Sequence, residues 1–363
     1  MSDDTSVDNH PLHQAAEDRR TPAQKRSARR ADAKVRRFAK VAARQADAMP
    51  AVGPMDGPRE VREVEAPLVS PAPTGGLREV FSKRYLLRLI VRRELAQMYS
   101  ASVLGLIWSY VQPAVRFGMY FFIMGVVLEA HRTVPFFAIH LFCGMVFVHY
   151  FTETFNGGTR SIVQNRALVK KMAMPREMFP VASSVVALYH TVPQMILLAL
   201  ICVINGWHIT MGGLVAAVLG FSIILVFGTA LALIFSACNV FFRDFQNIVA
   251  TLTYFVHFMV PMMYAYSRVR DVLGNYGGVW LQLYLANPIA VATMLVQRFF
   301  WYGVAAGKPV SGTAHDIALN RQALDFPPHL LWRGVATLAV CLVLLAIAQR
   351  IFSRLENKFP ERL

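Results

Sequence analysis

Charged side chains are scarce in this sequence, and acidic ones are the scarcer sign. Only 16% of the 363 residues are charged, against about 25% in an ordinary soluble domain. Hydrophobic residues make up 55% of the chain. With so little charge and so much apolar surface, most of the chain is predicted to lie within a lipid bilayer.

Paired carboxylates are missing as well, which excludes several kinds of active site. There are 22 acidic residues against 37 Lys and Arg, and those outside the amino-terminal region are scattered, as shown by Glu129, Asp244, Asp271 and Asp316. Without convergent acids or an activated nucleophile, the sequence offers no catalytic constellation. The few carboxylates within apolar runs leave no proton relay for an ion-driven carrier. His149 and Glu153 are four residues apart, but two ligands do not make a metal site.

Cysteine is rare, and a phosphate-binding loop is absent. The chain has 4 cysteines, each in an apolar run without paired spacing, so they are predicted to be small core residues. A phosphate-binding loop requires G-x-x-x-x-G-K-[ST]. The nearest match, GVAAGKP at 303–309, is one residue short and has proline in place of the hydroxyl residue. We therefore predict no nucleotide, metal or other cofactor on this chain.

Six apolar runs are each long enough to cross a bilayer, which needs about 20 apolar residues. They cover 104–128, 136–155, 178–204, 214–242, 245–266 and 330–348. The sequence thus predicts an all-α membrane protein with six transmembrane helices within 100–363. An even number of crossings places both termini on the same side.

The short segment 156–180 sets the orientation, because it carries five basic residues against one acid: Arg160, Arg166, Lys170, Lys171 and Arg176 against Glu177. The positive-inside rule places such a loop in the cytoplasm of a multi-pass plasma-membrane protein, together with both termini. Read as a helix, it has Ile162 and Val169 on one side and Arg160 and Lys171 on the other, so it is amphipathic and suited to docking.

Two different segments precede the first run. The stretch 1–77 is rich in Ala, Pro, Asp and Arg and is predicted to be a disordered basic cytoplasmic tail near anionic lipid, with no nucleic-acid partner. In 78–99, Arg84, Arg88 and Arg92 recur on one helical face. This pattern predicts an amphipathic helix lying in the membrane interface; the alternative is a juxtamembrane helix with no moving part.

The segment 267–328 joins the fifth and sixth runs on the outer side. Its apolar middle, 279–302, surrounds a break at Asn287 and Pro288. Two short re-entrant helices would explain this pattern, because non-spanning backbone at membrane depth must be covered by protein. The alternative is a folded extracellular cap.

Four motifs in order resemble one known family. They are YSASVLGLIWSYVQP at 99–113, NRALVKKMAMPREMFP at 165–180, NVFFRDF at 239–245 and YLANPIA at 284–290. This series resembles the membrane (permease) subunit of ATP-binding-cassette polysaccharide exporters, which carry O-antigen, capsule, teichoic acid or cell-wall galactan. The actinobacterial galactan exporters look closest.

The resemblance implies a transport subunit rather than an enzyme. It implies a homodimer with two copies of a separate cytoplasmic ATPase that binds ATP and Mg²⁺, and export of a lipid-linked glycan through a channel at the dimer interface. A gate helix would lie at 83–98 within 78–99, a coupling helix at 159–171 within 157–172, and outer gate helices at 276–286 and 288–302. The residues expected to couple to the ATPase are Arg160, Arg166, Lys170 and Lys171, with Arg176 and Glu177 at the elbow.

A glycan has apolar C–H faces, so a channel for it should present aromatic rings. Candidates for the channel lining occur in the first two spans: Arg116, Phe117, Tyr120, Phe121, Phe147, Tyr150 and Phe151. Two alternatives remain for them, since aromatic rings in membrane helices also pack on neighbours and Arg116 could pair with Glu153 instead.

Two other functions remain open. One is the permease of an ATP-driven drug or lipid exporter, which shares the mechanism but not the substrate. The other is a membrane scaffold or glycosyltransferase, which would need acidic catalytic or metal-binding groups on a loop.

Overall fold

The structure is a computed structural model that describes residues 75–99, 107–172, 174–276, 278–306, 308 and 314–362. The predicted basic tail lies outside these residues apart from 75–77, and so does the start of the predicted first span. Within the described residues the fold contains helices and no strand. The predicted all-α class is therefore confirmed for this part of the chain.

The helices follow one another with short connections. In chain order they are α1 Gly76–Ser82, α2 Arg84–Tyr99, α3 Trp108–Tyr120, α4 Ala130–Thr133, α5 Phe137–Gln164, α6 Arg166–Lys171, α7 Met178–Ile204, α8 Met211–Phe241, α9 Phe245–Met259, α10 Tyr266–Asn275, α11 Gly278–Leu285, α12 Pro288–Phe299, α13 Trp301–Ala305, α14 Ala314–Ala323, α15 Leu330–Leu355 and α16 Phe359–Arg362. A π-helical stretch, Phe121–Val127, continues α3.

Helices α5 and α8 form the centre of the bundle. Helix α8 packs against α5, α12 and α15, and α5 also packs against α7 and α9. Their approach is close because glycine faces a small side chain: a Cβ on Gly158 of α5 would lie 2.4 Å from the Cβ of Ala232 on α8. Small residues at such contacts let helix backbones approach and gain dispersion energy.

Two helix starts have a clear cause in the sequence. The Thr210 hydroxyl accepts a hydrogen bond of 3.1 Å from the Gly213 amide and caps α8. The Asn287 side chain accepts one of 3.0 Å from the Ile289 amide, and Pro288 occupies the first turn of α12. Both are N-cap arrangements that satisfy an otherwise unpaired amide.

The number of apolar spans is smaller than the six predicted from sequence. Four helices among the described residues are long and apolar enough to cross a membrane: α3 with its π-helical continuation, α7, α8 and α15. The number is five if α11 and the α12–α13 pair, which meet at 77°, form one bent span. Helix α9 has only 15 residues, and α5 includes polar residues such as His140, His149 and Glu153. The six-span count is thus not confirmed.

The segment between α9 and α15 is helical over most of its described residues. Arg270 on α10 pairs with Asp325, 3.1 Å away, and with Asp271. These carboxylates raise the pKa of Arg270 through hydrogen bonds and charge attraction. The ion pair links α10 to Asp325, which follows α14, and because it is exposed it contributes little stability.

Two buried polar side chains, Gln297 and His140, contact the backbone of the connection between α9 and α10. Gln297 on α12 is 1% exposed, and its Nε2 donates a hydrogen bond of 2.7 Å to the Pro261 carbonyl. His140 on α5 lies beside it, with Nε2 3.3 Å from the Tyr264 carbonyl. Trp301 packs edge-on against His140 at 4.5 Å between ring centroids. The irregular backbone at 260–265 therefore has polar partners inside the bundle.

We expect Gln297→Leu to lower the free energy of unfolding by about 1–3 kcal/mol, because the Pro261 carbonyl would lose its buried donor. Thermal unfolding of the detergent-purified protein measures the loss. The control is Gln246→Leu on α9, where the side chain is exposed. Equal melting temperatures for the two variants would contradict the structural role of this hydrogen bond.

Candidate functional site

The basic residues predicted in 78–99 and 156–180 gather at one end of the bundle, here called the basic end. It is formed by α1, α2, α6, the end of α5, the start of α7 and the ends of α8 and α15. A separate apolar core joins these elements, with Ile90 of α2, Val169 of α6 and Phe352 of α15 among its buried members. The basic end is therefore a packed junction and not a loose loop.

The predicted coupling segment does not form one separate helix. Residues 157–164 continue α5 without a break, Asn165 forms a turn, and only α6 is a separate helix. Burial explains this division: Gly158 packs on Ala232, and the Thr159 carbonyl accepts a hydrogen bond of 3.0 Å from Asn239 on α8. The first half of the predicted 157–172 segment is thus part of α5 and packs in the bundle, and α6 is the separate helix within it.

The six predicted coupling residues fall into two groups. Arg166, Lys170 and Lys171 are exposed on α6, and Arg160 is half-buried at the end of α5. Arg176 and Glu177, by contrast, face inward. Arg176 donates a hydrogen bond to the Glu356 carbonyl, and Glu177 is 1% exposed and accepts one of 2.8 Å from Gln349. This pair anchors the start of α7 to α15 and is not part of the exposed cationic surface.

Burial lowers the pKa of Arg176, while Glu356 and Glu177 act in the opposite direction and favour the charged form. The guanidinium also lies 5.9 Å from the centroid of the Phe359 ring. A half-buried cation with these partners stabilises the junction by charge-assisted hydrogen bonding.

Helix α2 has two parallel stripes on its exposed side. Arg84, Arg88 and Arg92 are exposed, as predicted for the interfacial helix. A second exposed stripe of α2 is apolar, with Tyr85 at 73% and Leu89 at 44% exposure. Ile90 is the one fully buried residue of α2 among those that the structure describes. Adjacent cationic and apolar stripes are typical of a helix at a lipid headgroup layer.

Hydrogen bonds tie α2 to its neighbours at two points. Arg93 donates from Nη2 to Asn165 Oδ1, and Asn165 Nδ2 donates to Glu94 Oε1 over 3.3 Å. At the other end, the Tyr99 hydroxyl lies 2.8 Å from Ser109 Oγ on α3 and 3.2 Å from His190 Nδ1 on α7. Burial raises the pKa of Glu94, and its bond to Asn165 and the charge of Arg93 partly offset this rise.

Asn165, Arg93 and Glu94 were not among the site residues predicted from sequence. An asparagine between two helical stretches signals a turn, but its partners lie 71 and 72 residues away in the chain. No short-range pattern indicates such a pairing.

Three adjoining cavities form a lateral groove along α5. They have volumes of about 550, 490 and 330 Å³, and all three are lined by Met98 and Glu153. The largest lies between α2, α5, α6 and α7 and includes Arg93 and His190. The second lies between α3, α5 and α9. The groove thus begins beside the basic end and opens towards α3 and α9.

The predicted channel-lining residues divide between this groove and the core. Arg116 and Tyr120 line the second cavity. Phe117 and Phe121 are half-buried and stack on each other, with 5.9 Å between centroids. The remaining three, Phe147, Tyr150 and Phe151, are each 1% exposed.

These three buried rings pack on the α8 side of α5. Phe147 and Tyr150 contact Phe221, and Phe151 contacts Phe227. Within the single chain these three predicted channel residues lie in the core, because α8 covers the face of α5 that carries them.

The described residues contain no group of three or more His, Cys, Asp or Glu that could hold a metal ion. The four cysteines are free thiols. The site consists of the exposed cationic helix α6, helix α2 with its cationic and apolar stripes, and the lateral groove.

This chain is similar in sequence to known membrane transport proteins. Residues 85–300 match the family model described as ABC-2 type transporter. The O-antigen export system permease protein RfbA of Myxococcus xanthus is 26% identical over 289 residues, covering 78% of this chain and 98% of that protein. Two proteins of the same name from Klebsiella pneumoniae are 25% and 24% identical over 222 and 221 residues, each covering 60% of this chain and 81% of theirs. Because the family model covers more than half of the sequence, this multi-pass membrane chain belongs to the ABC-2 type transporter family.

Proposed function

We propose that this chain is the permease subunit of an ATP-driven exporter for a lipid-linked polysaccharide. The observation that carries the proposal is the similarity to O-antigen export permeases, which for one relative extends over 98% of its length. These relatives are named as permease proteins of an export system, which favours a transport component over an enzyme. Cell-wall galactan and teichoic-acid-like polymers are further candidates for the cargo.

Export needs an energy source, and we propose two copies of a separate cytoplasmic ATPase that bind ATP and Mg²⁺. Helix α6 is the proposed docking element, with Arg166, Lys170 and Lys171 exposed and Arg160 beside them. This assignment makes the basic end cytoplasmic in a plasma-membrane protein, consistent with the positive-inside rule. With α3, α5, α7, α8, α9 and α15 as six crossings, both termini lie on that side.

We further propose a homodimer whose channel lies along the lateral groove. Among the four apolar spans, α3 is the least buried within one chain, and α9 exposes Tyr254 and Phe258 beside the groove. A second copy against α3 and α9 would enclose the groove between two subunits. Arg116, Phe117, Tyr120 and Phe121 would then contribute to the channel wall. The α11 and α12–α13 helices would form the outer gate.

Two experiments test this proposal. Depletion of the chain in its own host tests the cargo, and purification of the tagged chain tests the partner. We expect a lipid-linked glycan to accumulate on the cytoplasmic side, and an ATP-binding-cassette ATPase to co-purify with the tagged chain in equal copy number. Chemical analysis of the retained lipid and the mass of the intact complex measure these results. A complex without an ATPase, or nucleotide hydrolysis by the purified chain alone, would disprove the proposal. An unchanged glycolipid pool would favour the drug or lipid exporter instead.

A further inference from the structure

The side chain of Asn165, in the turn between α5 and α6, forms hydrogen bonds with α2. Asn165 is 7% exposed. Its Oδ1 accepts a hydrogen bond from Arg93 Nη2. Its Nδ2 donates to Glu94 Oε1 over 3.3 Å and to the Ser161 carbonyl over 2.8 Å. An asparagine amide has two donors and one acceptor oxygen, so both ends of this side chain are in use.

Arg93 and Glu94 are consecutive residues, and their side chains leave the α2 axis about 100° apart. Their charged groups can meet at one partner only if that partner lies between them. Asn165 occupies this position and presents an acceptor to the cation and a donor to the anion. Hydrogen bonds to charged groups are roughly twice as strong as neutral ones and, unlike apolar contacts, they are directional. We call these three residues the amide clamp.

The amide clamp joins two elements with different exposed surfaces. On one side, α6 presents the cationic surface proposed to meet the ATPase. On the other, α2 leads to Tyr99, whose hydroxyl contacts Ser109 on α3 and His190 on α7 beside the lateral groove. Apolar residues of α2 and α6, including Ile90 and Val169, also share one core. Apolar contact has no preferred direction, so the hydrogen bonds of the amide clamp add a directional link between the two elements.

We propose that Asn165 is a positioning residue that makes α2 follow a displacement of α6, so that ATPase movement reaches the groove through α2. The source of that displacement rests on the proposed function. The clamp itself is a property of this chain.

A reciprocal exchange of amide and carboxylate tests the clamp. Asn165→Asp keeps an acceptor for Arg93 but places a second carboxylate opposite Glu94, where Nδ2 was the donor. The link to Glu94 is therefore lost, and repulsion between the two carboxylates replaces it. Adding Glu94→Gln returns one amide and one carboxylate to the same pair of positions. The matched control is Asn247→Asp, the same substitution at an exposed position of α9 near the basic end.

Spin labels at Leu89→Cys on α2 and Met172→Cys after α6 report the separation of the two helices, in a background lacking the native cysteines. Both positions are exposed, at 44% and 46%. We expect a narrow distance distribution for the parent and for Asn247→Asp, a broad one for Asn165→Asp, and a narrow one again for the double variant. An unchanged distribution in Asn165→Asp, or no recovery in the double variant, would overturn the clamp.

Export by the complete transporter tests the consequence. We expect Asn165→Asp to reduce export per ATP hydrolysed by about tenfold, equivalent to about 1.4 kcal/mol, with assembly retained. The double variant should recover most of it. If the wild-type transporter exports and Asn165→Asp exports equally well, the clamp does not transmit movement. If the wild-type chain supports no ATP-driven export, the proposed function fails, whatever the spin-label distances show.

Discussion

Reversing two charges on α6, as Arg166→Glu with Lys170→Glu, should leave the permease inserted and folded but reduce export per ATP hydrolysed by at least about tenfold. Both side chains are exposed on α6, so the fold loses no buried contact. The proposed ATPase surface would meet two anions in place of two cations. Reversed charges across an interface cost several kcal/mol and disrupt its register.

The measurement uses the reconstituted transporter, with export and ATP hydrolysis followed in the same vesicles. The control is Arg350→Glu with Arg354→Glu, which makes the same charge change at exposed positions near the end of α15. The charge-conserving pair Arg166→Lys and Lys170→Arg should keep most of the activity. Normal export by the double reversal would show that α6 is not the coupling element.

The second large effect is expected from adding one methyl group to Gly158. Its Cβ would lie 2.4 Å from the Cβ and 3.2 Å from the Cα of Ala232, whereas carbon atoms in contact are about 3.5–4.0 Å apart. Helices α5 and α8 would have to separate along a contact at the centre of the bundle. We expect Gly158→Ala to lower the free energy of unfolding by about 2–3 kcal/mol, and Gly158→Leu to prevent folding.

Thermal unfolding in detergent, followed by size-exclusion chromatography, measures this loss. The control is Gly212→Ala near the start of α8, where a Cβ would meet nothing within 4 Å. This variant should be neutral or slightly more stable, because alanine favours the helix more than glycine does. Equal stability of the Gly158 and Gly212 alanine variants would mean that the α5–α8 contact is looser than the structure indicates.

The residues of the lateral groove show which site positions a sequence pattern can identify and which it cannot. Arg116 and Tyr120 were predicted to face a channel, and they line a cavity beside α9. Phe147, Tyr150 and Phe151 carry the same chemical signal but lie in the core. A sequence pattern does not distinguish an aromatic side chain that faces a groove from one that faces a neighbouring helix, because both surroundings accept a ring.

Some properties of this protein follow from local sequence alone. Long apolar runs predict a helical membrane protein, because a helix pairs its own backbone N–H and C=O groups, which find no water inside the bilayer. Helix α7 has the same limits as the predicted third run, and the chain breaks at Asn287 and Pro288, where a cap and a proline begin α12. The run of cations at 160–176 likewise identifies the basic end, because a cluster of like charges is visible in the sequence itself.

Only the tertiary structure decided which of these residues work together. It fixed 157–164 within α5, turned Glu177 into the bundle, and brought Asn165 to Arg93 and Glu94 across 72 and 71 residues of chain. Periodicity tells which side chains share a face of one helix. Which neighbouring helix covers that face depends on packing between segments distant in sequence. This packing decides whether an aromatic ring lies in the core or in the groove, and whether a charged side chain is solvated or forms hydrogen bonds in the amide clamp.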